Sequence, residues 1–206
     1  DAYPACPMAA TPRTSAPGLL LGEWACLGIL AIGPSHGFAI AQRLRPDGDV
    51  GRVWSLSRPL TYRSLDRLAA RELIRVVGEE PGLAGGNRTV LAATRPGRRQ
   101  LDRWLATPVV HLRDLRSELL LKLVIGQLTG TDTSSLVAAQ LELVRGLAAG
   151  YDTRAGDDPA HDAGSAVTSA AIDVIGLWRA ESSHAALRFL ERVAALGTVG
   201  TSRSET

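Results

Sequence analysis

Residues 57–93 decide the fold; they read SRPLTYRSLDRLAARELIRVVGEEPGLAGGNRTVLAA. The first part predicts a helix over 57–72, because apolar side chains recur on one face and Pro59 falls in the first turn, where its missing N–H costs nothing. Two runs that favour β-strand follow, at 73–77 and 88–93. The glycines, proline and asparagine between them predict a hairpin tip. The stretch therefore predicts a helix followed by a projecting β-hairpin.

The segments on either side complete a recognisable order of elements. Upstream, apolar residues at helical spacing predict one helix over 19–32 and a second that Ser35 caps and Pro46 ends. A short extended run at 53–56 precedes the central helix, and Thr94 caps another helix after the hairpin. The resulting order of helix, helix, short strand, helix, strand, strand and helix is that of a winged helix-turn-helix.

Beyond Pro108 the chain reads as mainly helical. Apolar spacing predicts amphipathic helices from Leu112 and from Leu136, then a long helix whose apolar stripe resembles a helix-packing seam. We therefore predict a mainly α fold, a winged helix-turn-helix with a small β-hairpin wing followed by a helical dimerisation domain. The predicted organisation is a flexible tail at 1–18, the winged helix-turn-helix at 19–108, the helical domain at 109–197 and a flexible tail at 198–206.

Basic residues are concentrated in the N-terminal half of the chain. The 206 residues carry a net charge of +2, and the cations are 22 arginines and one lysine. Between His36 and Trp104 there are 13 arginines and 7 carboxylates, whereas the residues from Gly150 onward carry an excess of acids. This asymmetry favours a polyanionic partner for the first half. A solvated arginine-rich face is the alternative interpretation.

The sequence carries no signal for a membrane or for secretion. It has no run of about 18 apolar residues, and its N-terminus lacks the basic stretch and apolar core of a secretory signal. Only two cysteines occur, Cys6 in the predicted tail and Cys26 in a predicted buried helix, so a disulfide framework is not expected. We therefore expect a cytoplasmic protein with reduced thiols.

The central helix has a basic face opposite its apolar one. Arg63, Arg67 and Arg71 recur at steps of four, so one side of the helix can pack while the other enters a major groove. Arginines would pair with guanine or phosphate, a tyrosine hydroxyl with phosphate or a base edge, and a leucine with a thymine methyl. The predicted DNA-binding residues are Arg58, Leu60, Tyr62, Arg63, Arg67 and Arg88. Solvation or core packing is the alternative for these residues, and Arg67 has Asp66 and Glu72 as alternative partners.

No grouping of residues points to an enzyme, a metal site or a cofactor. The four histidines are far apart and lack cysteine or carboxylate partners at ligand spacing, so His36 is interpreted as a structural residue at a helix start. Gly85 and Gly86 lack the following lysine and hydroxyl residue of a phosphate-binding loop. Three tryptophans, Trp24, Trp104 and Trp178, either belong to the core or line a pocket for a small-molecule effector.

Four motifs, in order along the chain, resemble the PadR family of transcriptional regulators. LAIGPSHGFAI at 30–40 resembles the opening signature of that family, and WSLSR at 54–58 is similar to the run that follows it. GGNR at 85–88 resembles the wing tip of the family. LRDLRSELLLKL at 112–123 resembles the start of the C-terminal dimerisation domain of its longer members. The resemblance covers roughly residues 20–195.

The resemblance implies a regulator that binds DNA as a homodimer and is often controlled by a small molecule. We accordingly predict a repressor on a palindromic operator. Glu72 departs from the pattern, because it stands where the family usually has glycine at the end of the recognition helix. The residues predicted for dimerisation are Leu115, Leu119, Val174, Trp178, Phe189 and Val193. Two alternatives remain: a winged-helix module that binds proteins without binding DNA, and an enzyme or carrier that uses the helical half.

Overall fold

A computed structural model of the chain describes residues 18–81, 86–156 and 174–201. The tail predicted at 1–18 lies outside these residues except for Gly18, and so does the centre of the predicted hairpin tip. The last described helix extends to Thr201, within the segment predicted as a second tail, and the residues after it lie outside the described part.

Seven α-helices and three strands make up the described chain, together with two short helical turns. The N-terminal elements are α1 Leu21–Ile32, β1 Ser35–His36, α2 Gly37–Arg43, α3 Arg58–Ala70, β2 Ile74–Pro81, β3 Asn87–Ala93 and α4 Arg95–Ala106. The C-terminal elements are a 3-10 turn Leu112–Asp114, a π-helical turn Leu115–Leu119, α5 Leu120–Thr129, α6 Ser134–Gly156 and α7 Val174–Thr201. This is a mainly helical protein with a winged helix at its N-terminal end, which confirms the predicted fold class.

The helix ends in the winged half follow from local sequence. Pro59 lies in the first turn of α3, two positions after the N-cap residue Ser57. The hydroxyl of Thr94 accepts the backbone N–H of Gly97 and so caps α4, as predicted. The N-cap predicted for α2 is wrong, because His36 rather than Ser35 occupies it and accepts the N–H of Ala39 through Nδ1.

The sheet has the order β1-β3-β2 and is antiparallel throughout. Its small third strand is Ser35–His36, paired with Leu91 and Val90. The extended run predicted at 53–56 is not a strand, since its backbone lies in turns and loop that return the chain to α3. A two-residue strand has no periodicity to reveal it, and only its pairing with β3 makes it one.

The hairpin is longer than its composition predicts. Strand β2 continues to Pro81 instead of ending at Val77, with Glu79, Glu80 and Pro81 paired to Thr89, Arg88 and Asn87. A β-bulge interrupts the ladder between Val76 and Gly78. Such a bulge increases local twist, so it turns the outer part of the wing relative to its base. Beyond Ile74 the residues of β2 are exposed, as in a projecting hairpin.

Helix α1 is the centre of the first hydrophobic core. Leu27 and Leu30 are fully buried among residues from α2, α3, the sheet, α4 and α5. Gly28 permits the close approach of α5, because a Cβ there would lie 2.5 Å from a side-chain carbon of Ile125. The core therefore draws on residues from both sides of Pro108. Burial raises the pKa of the Cys26 thiol to about 12, so this thiol stays protonated and unreactive at neutral pH.

A second core joins the C-terminal helices. Leu136 and Val144 of α6 and Leu190 of α7 are buried together with Leu115 and Leu119 of the π-helical turn. Gln140 fastens this core to the segment after α4, since its side-chain amide accepts the N–H and donates to the carbonyl of Val109. The side-chain amide of Gln140 and the backbone N–H and carbonyl of Val109 thereby all have hydrogen-bond partners.

Helix α3 ends in a left-handed residue. Glu72 has φ of 57°, a conformation that costs a residue with a Cβ about 1 kcal/mol. Its N–H donates to the carbonyl of Ala69, and that of Leu73 donates to the carbonyl of Leu68, which together form a Schellman motif. This geometry explains why a glycine would suit the position.

We expect Glu72→Gly to raise the free energy of unfolding by about 0.5–1 kcal/mol, because glycine adopts this φ without steric cost. Glu72→Ala is the matched control, since it removes the same charge but keeps a Cβ. Urea denaturation followed by circular dichroism measures both. A glycine variant no more stable than the alanine variant would contradict the strain at this position.

Candidate nucleic-acid interface

The start of α3 presents an exposed polar and apolar surface. Thr61, Leu65 and Leu68 are buried against the winged-helix core. The buried Thr61 hydroxyl donates to the carbonyl of Ser57, so it is satisfied. The exposed residues of the first two turns are Arg58, Pro59, Leu60, Tyr62 and Arg63. Four of the six predicted DNA-binding side chains therefore lie on one exposed end of this helix.

Arg67 has a structural partner that the sequence did not indicate. Its Nη1 lies 3.3 Å from Oε1 of Glu23, whose side chain is only 2% exposed. The other oxygen of Glu23 accepts the N–H of Leu20. Asp66 and Glu72, the partners considered from the sequence, are not the ones in the ion pair. Arg67 thus ties α3 to the start of α1, and this contact engages part of its guanidinium.

Arg88 and Arg58 come together over one aromatic ring. The guanidinium carbon of Arg88, on β3, lies 5.6 Å from the ring centroid of Phe38, and that of Arg58 lies 5.2 Å from it. Both distances are within the range of cation–π attraction. The wing and the start of α3 thereby place two positive charges against the same ring, although 29 residues separate them in the chain.

Tyr62 lies against the start of α2. A Cβ on Gly37 would be 2.7 Å from Cε1 of the Tyr62 ring, so only glycine allows the ring this close. The ring remains partly exposed. The predicted site residues Arg58, Tyr62 and Arg88 therefore share one neighbour, the segment 36–38.

Sequence reasoning missed Phe38 as part of this site. Its apolar character and its place in the second helix assign it to the core, but its side chain is 39% exposed. The motif around it was singled out only as a family resemblance. No signal within the sequence shows that residues at positions 58 and 88 reach the same ring.

Carboxylates limit the basic surface at other points. Glu79 on the wing accepts a hydrogen bond from Nδ2 of Asn87 at 2.7 Å, and Glu80 stands opposite Arg88 in the ladder. Arg43, the last residue of α2, donates hydrogen bonds to Asp49 in the loop that follows. This contact lowers the pKa of the Asp49 carboxyl. The local positive charge is thus least opposed at the start of α3.

Two of the three tryptophans considered for an effector pocket form a partly buried network. Trp24 and Trp104 stack with ring centroids 4.7 Å apart and planes 8° from parallel. The indole N–H of Trp104 donates to Glu118 at 3.0 Å. Lys122 lies 5.0 Å from the Trp104 ring, and its Nζ contacts Glu118 at 2.9 Å and donates to the carbonyl of Thr107 at 2.6 Å. Desolvation lowers the pKa of this lysine, while Glu118 opposes the shift.

The three tryptophans do not line a common site. Trp24 and Trp104 face each other at the junction of α1, α4 and the π-helical turn. Trp178 is 71% exposed on α7 and takes no part in their stack. Trp24 and Trp104 make the contacts of structural side chains. Trp178 belongs to an exposed surface.

The residues predicted for dimerisation fall into two groups. Leu115 and Leu119 are buried in the second core of the same chain, so they are not free to contact another copy. Val193 also packs against this core. Val174, Trp178 and Phe189 are exposed on α7. We call the exposed apolar residues of this helix the α7 outer face: Val174, Ile175, Leu177, Trp178, Phe189 and Leu196.

The inner side of α7 packs on the chain itself through Ser183, Ala186 and Leu190, so the helix has two apolar sides. Within the described parts of the chain, no helix combines the length and the apolarity that crossing a bilayer requires.

Comparison with solved structures finds similarity to PadR of Bacillus subtilis. The structure of that protein with operator DNA is 18% identical, with a TM-score of 0.41, and the match covers 84% of this chain and 97% of that one. Its structure with p-coumaric acid is 18% identical, with a TM-score of 0.39, and the match covers 87% and 99%. No protein-family model matches the sequence, and the comparison with curated proteins gives no match.

We expect Arg67→Ala to lower the free energy of unfolding by about 1–2 kcal/mol, because it leaves the buried Glu23 carboxylate without its cation. Arg63→Ala is the matched control on the same helix and should change stability by less than about 0.5 kcal/mol. Chemical denaturation of both variants measures the difference. Equal stabilities would show that the contact with Glu23 contributes nothing to folding.

Proposed function

We propose that this chain is a sequence-specific DNA-binding transcriptional regulator that acts as a homodimer on a palindromic operator in the cytoplasm. The observation that carries the proposal is the convergence of Arg58, Tyr62 and Arg88 at one end of the winged helix. A helix with a buried face and an exposed basic start can enter a major groove, and a projecting hairpin beside it can reach the neighbouring backbone.

The proposed roles follow from the chemistry of each exposed side chain. Arg58 and Arg63 would pair bidentately with guanine or clamp a phosphate. Leu60 would contact a thymine methyl, and the Tyr62 hydroxyl would meet a phosphate or a base edge. Arg88 would reach a phosphate or the minor groove from the wing. Arg67 would contribute only through the donors that its pairing with Glu23 leaves free.

The α7 outer face supports the proposed dimer. Six large apolar side chains are exposed along this helix, whereas its opposite side is already packed. Exposed apolar patches of this kind mark sites of protein association. To read a palindrome, the dimer must place its two copies of α3 on successive major grooves, about 34–36 Å apart.

Repression would follow if the bound dimer covers a promoter. Control by a small molecule would act at the Trp24–Trp104 stack, because the network there joins α1 and α4 to Glu118 and Lys122 of the C-terminal half. An effector bound beside this network would move these elements relative to each other. The distance between the two recognition helices would change as a result.

The alternative function is a protein-interaction module that uses the same winged helix without DNA. Salt dependence separates the two. Binding to DNA releases condensed counterions, so its affinity falls steeply with salt in proportion to the number of phosphates neutralised. Binding to a protein through apolar surface lacks this dependence.

We expect Arg58→Ala and Arg63→Ala each to weaken binding to an operator duplex selected from a random pool by about 5- to 150-fold, with no loss of folding. If the side chain contacts phosphate, the slope of log affinity against log salt should fall by about 1. Arg103→Ala, in the last turn of α4, is the control and should bind as wild type. Unchanged affinity in both variants, or failure of the pool to yield any enriched sequence, would contradict the proposal.

We expect Trp178→Glu to raise the dimer dissociation constant by at least about tenfold, because the dimer would bury a charge among apolar side chains. Sedimentation equilibrium measures the change, and circular dichroism checks that the helices remain. Gln127→Glu, an exposed position on α5, adds the same charge away from α7 and serves as control. A dimer that is unaffected by Trp178→Glu would place the interface elsewhere.

A further inference from the structure

We infer that the segment His36-Gly37-Phe38 at the start of α2 is a positioning platform that holds the wing and the start of α3 in one fixed relation for binding the phosphate backbone. The inference rests on the proposed DNA binding and extends it to residues that need make no contact with DNA. Each of the three residues touches at least one candidate side chain: His36 touches Arg88, Gly37 touches Tyr62, and Phe38 touches both arginines.

His36 links the platform to both the helix and the sheet. Its backbone belongs to β1, and its Nδ1 accepts the N–H of Ala39, which fixes the ring at the N-cap of α2. In the neutral ring the proton is then on Nε2. Nε2 lies 3.4 Å from Nη1 of Arg88, so this approach is a packing contact between two donors. It limits how closely the arginine can approach, uses none of its hydrogen-bonding groups, and leaves the attraction to come from Phe38.

Phe38 supplies the attraction that brings the arginines together. Two guanidinium groups repel each other, and no carboxylate among the described residues forms an ion pair with Arg58 or Arg88 in the structure. The negative faces of the ring offset this repulsion at 5.2 and 5.6 Å. A cation–π contact leaves the N–H donors in the guanidinium plane unused, so both arginines keep their forks for phosphate oxygens.

Gly37 completes the platform by the absence of a side chain. The Tyr62 ring occupies the space that a Cβ would take, with Cε1 at 2.7 Å and the hydroxyl oxygen at 3.2 Å from it. The ring is therefore held against backbone rather than against a movable side chain. The platform therefore positions Tyr62 for the groove, and Arg58 and Arg88 for the phosphate backbone.

The test measures binding of the full chain to its selected operator duplex at several salt concentrations. Phe38→Leu keeps an apolar side chain but removes the π faces. We expect about 5- to 30-fold weaker binding, with a salt slope lower by about 1–2. Phe38→Tyr keeps the ring and should restore affinity to within about twofold. Because Phe38 is partly exposed, the melting temperature should change little in both variants.

A second set of variants separates positioning from direct contact. In a background of Arg58→Ala with Arg88→Ala, Phe38→Leu should cause no further loss, because the ring acts through the two arginines. An equal loss in that background would show that the ring itself touches DNA. Unchanged affinity of Phe38→Leu in the wild-type background would show that the ring does not position the arginines. Either result overturns the inference.

A measurement without DNA distinguishes this inference from the proposed function. In the free protein, the ring current of Phe38 should shift the side-chain NMR signals of Arg58 and Arg88, and Phe38→Leu should abolish these shifts. If the shifts are absent, the platform does not exist, whatever the chain binds. If the shifts are present but the wild-type chain binds no duplex, the proposed function is wrong and the role of the platform falls with it.

Discussion

The pairing of two residues in β1 with β3 is the constraint on which the winged half depends. Ser35 and His36 are bonded to Leu91 and Val90, so the start of α2 is fixed to the base of the wing. Helix α3 packs on α1 and α2 through Thr61, Leu65 and Leu68 and is therefore held in the same frame. Without this short strand, the start of α2 would lose its link to β3, and the wing would be held beside α3 only by the turn at Glu72 and by the packing of Ile74 and Ala93 in the core.

Polar contacts connect the helices where apolar packing alone leaves freedom. Arg67 and Glu23 join α3 to α1, and the contacts of Lys122 with Glu118, Trp104 and Thr107 join α4 to the C-terminal half. A buried charge that loses its partner costs several kcal/mol, so packings that separate these pairs are disfavoured. The pairs therefore specify one geometry more strongly than they add stability. Helix α7 differs from these helices, because one of its sides packs on the chain itself whereas the α7 outer face is exposed.

Local chemistry made much of the fold predictable. The spacing of apolar residues and Pro59 located α3, and Thr94 located the cap of α4. The same reasoning failed where elements are short or where contacts are distant. Residues 53–56 have the composition of a strand, but no described strand pairs with them. Ser35 and His36 pair with β3, but two residues are too few to show periodicity. The dimer prediction selected Leu115 and Leu119 because periodicity identifies an apolar side chain without identifying what covers it.

The sequence by itself determined the helices and the two hairpin strands of the winged half, their order and the basic side of α3, because helix spacing, caps and turn residues act over only a few positions. It also marked Glu72 as the place of a helix end, and the left-handed φ of that residue agrees. The tertiary structure alone decided which arginines are engaged and which are presented. Glu23 lies 44 positions from Arg67, and Phe38 lies 20 from Arg58 and 50 from Arg88. Such contacts depend on how helices and strands pack, and no local pattern encodes them.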